Sequence, residues 1–130
     1  MSDRFTTHGA FSWCELLTTN VKGAKDFYSE LLGWTLEDMT TGGMKYTVAK
    51  AGEEEIAGIM DMPPQVPEGT PPHWGTYITV NDVDAVAQKA GQLGGTVLVP
   101  PTDIPGVGRF SVLQDPQGAF FNIITYKAQS

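Results

Sequence analysis

A 22-residue pattern occurs twice in this chain, 62 positions apart, and no other feature narrows the fold as much. The first copy is ELLTTNVKGAKDFYSELLGWTL (15–36) and the second is YITVNDVDAVAQKAGQLGGTVL (77–98). In each, a strand-like stretch leads to a residue suited to cap a helix, Asn20 or Asp82. Apolar residues then recur at helical spacing: Ala24, Phe27, Leu31 and Leu32 in one copy, Val83, Val86, Ala90 and Leu93 in the other. Gly33 and Gly94-Gly95 act as stop signals. The same offset takes Val21 to Val83, Leu31 to Leu93, Gly33 to Gly95 and Leu36 to Leu98, as duplication of one unit would.

Behind each helix the pattern predicts three short strands, at about 34–39, 44–50 and 56–61 and again at about 95–99, 108–113 and 119–126. The segments TTGG, AGEEE, PPTDIPG and DPQG are read as the turns between them. Each half is therefore strand, helix and three strands, an α+β arrangement. The joining segment MPPQVPEGTPPHW holds five prolines, which forbid a helix and favour an extended crossing. The expected layout is a single domain of 130 residues: module one at about 9–62, a Pro-rich linker at about 63–73, module two at about 74–126. A chain of this length buries roughly two thirds of its unfolded surface and can hold a core.

Charge and segment patterns remove whole classes of function. With 15 acidic against 8 basic residues the net charge is −7, and no basic cluster offsets it, so nucleic acid is not an expected partner. No apolar run approaches the ~20 residues of a membrane span. The opening MSDRFTTHGAFSW shows no basic segment followed by an apolar one, and Cys14 is the lone cysteine; a cytoplasmic location is the expectation.

Strand alternation in FSWCELLTTN places Trp13, Glu15 and Leu17 on one face and Cys14, Leu16 and Thr18 on the other. Cys14 is expected under the helix as a small core residue rather than a nucleophile. Glu15 has two readings. Desolvated beside Trp13, it would suit general acid or base work; otherwise it pairs with Arg109 or Lys45 or sits at a wet rim. Tyr46, Tyr77 and Arg109 are candidates to support a catalytic Glu15 by hydrogen bonding. Arg109 could equally meet an anionic ligand or tie down the DPQG turn. Trp34 and Trp74 flank strand starts and read as core or packing residues, the Glu53–Glu55 run reads as a solvated turn, His73 is expected on a loop and His8 in a mobile tail.

The paired βαβββ pattern, FYSELLGW in the first helix, YITVNDVDA before the second and GRFSVLQDPQGAFFNI near the end resemble the vicinal oxygen chelate superfamily of glyoxalases, bleomycin-resistance proteins and extradiol dioxygenases. The resemblance runs from about Gly9 to Tyr126 and is greatest to a glyoxalase-related branch of unassigned function. It implies two tandem modules whose sheets curl around a cavity with helices on the outer faces, and it assigns the Trp13–Glu15–Leu17 face to that cavity. Metal ligands, in relatives that use them, fall at positions corresponding to Trp13, Met60, Gly75 and Asn122. Trp and Gly side chains offer no donor, and a thioether and an amide are weak for Zn, Ni or Mg, so no metal and no cofactor are expected.

By the same resemblance the ligand-binding residues are Trp13, Met60, Gly75, Tyr77, Thr79, Phe120 and Asn122, with Glu15 as the catalytic candidate. Such a lining suits a flat or aromatic small molecule. The favoured expectation is a metal-independent glyoxalase-like protein that binds a small aromatic or apolar molecule, with acid/base chemistry by Glu15. The alternatives are a metal-dependent lyase or isomerase of the lactoylglutathione lyase type and a non-catalytic interaction module. Pairing of two copies into a homodimer is consistent with the family.

Overall fold

The computed structural model describes residues 3–41, 44–64 and 66–127. Ten elements follow in chain order: β1 (Phe11–Thr18), α1 (Val21–Leu32), β2 (Thr35–Thr41), β3 (Met44–Ala51), β4 (Glu54–Asp61), β5 (His73–Thr79), α2 (Val83–Gln92), β6 (Thr96–Ile104), β7 (Gly108–Gln114) and β8 (Phe120–Tyr126). This is the α+β fold with two βαβββ modules that the repeat predicts. The chain divides into two compact units, residues 13–75 and residues 76 onward together with those up to 12. We call these the first and second modules.

Both helices start as their caps require. Asn20 Oδ1 accepts from Gly23 N at 2.9 Å, and 62 residues later Asp82 Oδ1 accepts from Ala85 N at 3.2 Å. Gly33 ends α1 at φ 72°, a left-handed conformation that a Cβ would strain. Packing then separates the two helices. α2 buries Val83 and Ala87 against Val80, Leu113 and Ile123, with Val86, Ala90 and Phe121 at the margin. α1 buries no residue and leaves Phe27, Leu31 and Leu32 exposed.

In the first module the strands lie in the order β2-β3-β4-β1, with β1 parallel to β4 and the other pairs antiparallel. In the second the order is β5-β8-β7-β6, with β5 parallel to β8. One expected turn is strand: β6 continues through Pro100 and Pro101 to Ile104. It is the last strand of that order, where a missing N–H costs no ladder bond, and its register shifts between Val97 and Val99 and between Val99 and Thr102 absorb the misfit. The acidic run is split as well, since Gly52 and Glu53 turn while Glu54 and Glu55 begin β4 as exposed residues. Of the TTGG turn, residues 42 and 43 lie outside the described residues.

The N-terminal segment is anchored to the second module instead of hanging as a tail. Gly9 N donates to Thr79 O at 2.7 Å and Thr79 N to Ala10 O at 2.8 Å. Asn81 N donates to His8 Nδ1 at 2.9 Å, and the Phe5 ring meets the Tyr126 ring edge-on at 5.1 Å. Backbone groups near Thr79 and Asn81 thereby find partners that a mobile tail could not supply.

Candidate functional site

The first module carries a three-residue hydrogen-bonded chain on the face predicted for Trp13 and Glu15. Trp13 Nε1 donates to Tyr46 Oη at 2.8 Å, and Tyr46 Oη donates to Glu15 Oε2 at 2.9 Å. All three side chains are half-buried. Strand geometry explains how they meet. Glu15 on β1 lies opposite Gly58 on β4, and Gly58 lies opposite Val48 on β3, two residues from Tyr46 on the same face. A Cβ built on Gly58 would overlap the Tyr46 phenol, so the ring lies across the glycine to reach Glu15. A lone glycine inside the strand pattern EEIAGIM is the sequence signal for such close approach.

Met60, buried on β4, stands opposite Leu17 on this face, and Gly75, half-buried, is in β5 at the end of the same module. In the second module, Tyr77 and Asn122 are register partners on β5 and β8. Tyr77 is buried, and Asn122 Nδ2 donates to Thr76 O at 3.1 Å. Thr79 is 3% exposed, and its hydroxyl donates to Arg4 O at 2.6 Å, so this polar point is engaged by the N-terminal segment. Phe120, at the first position of β8, is 68% exposed.

Several expectations fail for local reasons. Cys14 is exposed, because α1 packs on β4 and β2 and does not cover it; Leu16 and Thr18 on the same strand face are buried. Arg109 is committed to carboxylates of its own module. Its Nε and Nη2 bond Asp84 at 2.8 and 2.9 Å, and Nη1 bonds Asp103 at 3.0 Å. Those bonds hold the Asp84 carboxyl below the usual aspartate range and raise the Arg109 guanidinium above its ordinary value. The DPQG turn is tied instead by Asp115, whose Oδ1 accepts from Gln117 N and Ala119 N at 2.9 Å each. His73 belongs to β5 rather than a loop, exposed, with its Nδ1 donating to the Pro71 carbonyl at 2.9 Å. Trp74, 40% exposed, meets Tyr28 and Trp34 edge-on in a surface aromatic cluster and donates from Nε1 to Tyr28 Oη at 3.1 Å.

The donor set does not fit a metal ion. The indole N–H of Trp13 is spent on Tyr46 and the Asn122 amide donates to a carbonyl, while Gly75 has no side chain. Among the described residues no three His, Cys, Asp or Glu side chains gather as a metal site. Of two open clefts, of about 480 and 490 Å³, one borders Asp84, Asp103 and Arg109, and the other borders Lys22, Lys25, Asp38 and Tyr46; Glu15 lines neither.

Comparison with known proteins adds family membership. The CFP32 protein of Mycobacterium tuberculosis (strain CDC 1551 / Oshkosh), named as a candidate glyoxylase, is 46% identical over 113 residues, which is 85% of this chain and 43% of that protein. The anthracycline biosynthesis protein DnrV of Streptomyces peucetius is 35% identical over 116 residues, 89% of this chain and 41% of that protein. The chain thus spans less than half the length of these two relatives. Solved structures share the fold at low identity. The hypothetical protein BH1468 of Bacillus halodurans C-125 is 16% identical at a TM-score of 0.69, covering 95% of this chain and 99% of that one. Methylmalonyl-CoA epimerase of Mycobacterium tuberculosis is 14% identical at 0.65, covering 95% and 92%. The family pattern matches residues 10–123, and on that match together with the two relatives the chain belongs to the Glyoxalase/Bleomycin resistance protein/Dioxygenase superfamily.

Proposed function

We propose that this glyoxalase-like chain binds a small aromatic or otherwise apolar molecule without a metal ion, and that Glu15 performs acid/base chemistry on it. The observation that carries the reading is the hydrogen bond from Tyr46 to Glu15 at 2.9 Å, which fixes a half-buried carboxylate on the strand face that also bears Trp13 and Met60. A carboxylate so held can take or return a proton at a bound molecule, a contribution typically of 10²–10⁴-fold in rate. Trp13, Met60, Gly75, Tyr77, Phe120 and Asn122 remain the proposed binding residues, while the Thr79 hydroxyl is taken by the Arg4 carbonyl and leaves the set. The apolar members would supply contact area, and Asn122 a polar contact. DnrV is named for anthracycline biosynthesis, and anthracyclines are flat polycyclic aromatics, the kind of molecule such residues suit.

A thermal-shift screen of aromatic metabolites and antibiotics finds the ligand class, since a compound that binds only the folded state raises the melting temperature with dose. With a turned-over ligand in hand, Glu15→Gln is expected to lower kcat by at least about 100-fold while binding persists. Unchanged turnover would remove Glu15 from the mechanism. Protein purified without chelators or affinity tag should carry no stoichiometric transition ion, and a bound equivalent would sink the metal-free reading.

One observation favours a second reading, an interaction module. α1 presents Phe27, Leu31 and Leu32 to solvent, so pairing of two copies over that helix is the homodimer to test by sedimentation. A mass that stays monomeric across concentration removes it.

A further inference from the structure

We propose that Tyr46 is the positioning residue for Glu15, with Gly58 supplying the space it needs and Trp13 setting its polarity. The inference rests on the reading of Glu15 as the residue that bears the chemistry. In the first module β4 lies between β3 and β1. Adjacent strands are spaced about 4.8 Å apart, so a side chain on β3 must cross nearly 10 Å of sheet to hold one on β1. Tyr46 does so by lying over Gly58, the residue opposite Glu15, where any Cβ would overlap the phenol. Glycine at 58 is therefore a requirement of the site.

The direction of the chain follows from donor chemistry. An indole N–H can only donate, so the Tyr46 oxygen must accept from Trp13 at 2.8 Å. The phenol hydrogen is then directed to Glu15 Oε2 at 2.9 Å. A donor aimed at a carboxylate oxygen favours the ionised form, and accepting from Trp13 strengthens the phenol as a donor. Glu15 is thereby poised as a base in the resting protein, with its Oε2 held by Tyr46. Other charged side chains of the module are Glu37 and Lys50, which pair with each other at 3.3 Å, Glu54 and Glu55 at the start of β4, Lys45 beside Tyr46 on β3, and Lys25, Asp38 and Asp61, which line a cleft with Tyr46.

The test needs no substrate. The protein has three tryptophans, and Trp13→Phe identifies the Trp13 indole signal in a proton–nitrogen correlation spectrum. In the unsubstituted protein that signal should move with pH as Glu15 titrates, and Glu15→Gln should abolish the response, which excludes Glu37 as its source. Tyr46→Phe keeps the ring and removes the link. It should silence the Trp13 response and raise the Glu15 carboxyl-carbon titration midpoint, since the donor that favours the ionised form is lost. Gly58→Ala should reproduce both effects. A Trp13 response that survives intact in Tyr46→Phe would overturn the proposal, whatever Gly58→Ala does to folding. The two ideas fail separately: if Glu15→Gln turns over fully while the unsubstituted protein shows the Trp13 response, the role of Glu15 in chemistry is removed, whereas if Glu15→Gln loses turnover while the unsubstituted protein shows no Trp13 response, the positioning by Tyr46 is removed.

Discussion

Arg109 bridges α2 and β6 from its place on β7, bonding Asp84 through two nitrogens and Asp103 through a third. Bidentate geometry of this kind orders the partners more than a single contact would. Because the Asp84 carboxyl is held below the ordinary aspartate value of 3.8, chiefly by its hydrogen bonds to Arg109, the sign of its linkage is fixed. Its contribution to stability is complete above 3.8 and is lost as pH falls through the lower folded value. Carbon-detected titration of Arg109→Gln should therefore show Asp84 returning towards 3.8, with acid unfolding beginning at a higher pH. A midpoint for Asp84 that does not move would mean that the ion pair is absent in solution. Exposure keeps the effect small, since both side chains are more than a third open to solvent.

At the scale of elements, the two helices begin alike and differ in what they bury. Each has a cap at the same repeat position, yet α2 buries two residues and α1 none. Most helical stability in a protein comes from the packed face rather than from the cap or from propensity. Hydrogen exchange should therefore release α1 amides well before those of α2, and equal protection of the two would contradict the packing described. The same contrast leaves Cys14 exposed: a helix resting on β4 and β2 shields only part of the strand face that alternation assigns to the interior.

Across the molecule, residues up to 12 belong with the second module although they precede the first in sequence. Their bonds to Thr79 employ its N–H, its carbonyl and its hydroxyl, all on a residue 3% exposed, and Ser12 Oγ lies 2.7 Å from Tyr126 Oη. Deleting residues 1–9 breaks two of the three bonds at Thr79, and each buried group left unsatisfied costs about 1–3 kcal/mol. Chemical denaturation should show that loss as an earlier transition, with helix α1 unaffected by exchange; an unchanged midpoint would mean the segment contributes nothing. No helix among the described residues is long and apolar enough to cross a membrane.

By itself the sequence determined the repeat, both caps, the order of elements, the family, and the face shared by Trp13 and Glu15, because these follow from local spacing and backbone chemistry. Tertiary structure alone decided which groups complete one another. Tyr46 finds Glu15 across an intervening strand at a glycine, Arg109 finds two aspartates from separate elements, and Thr79 finds the N-terminal segment 75 residues earlier. Such partners depend on strand order and register, which bring together residues whose separation along the chain carries no period to read. Pattern says which face a side chain takes; only packing says whether that face is covered, and by what.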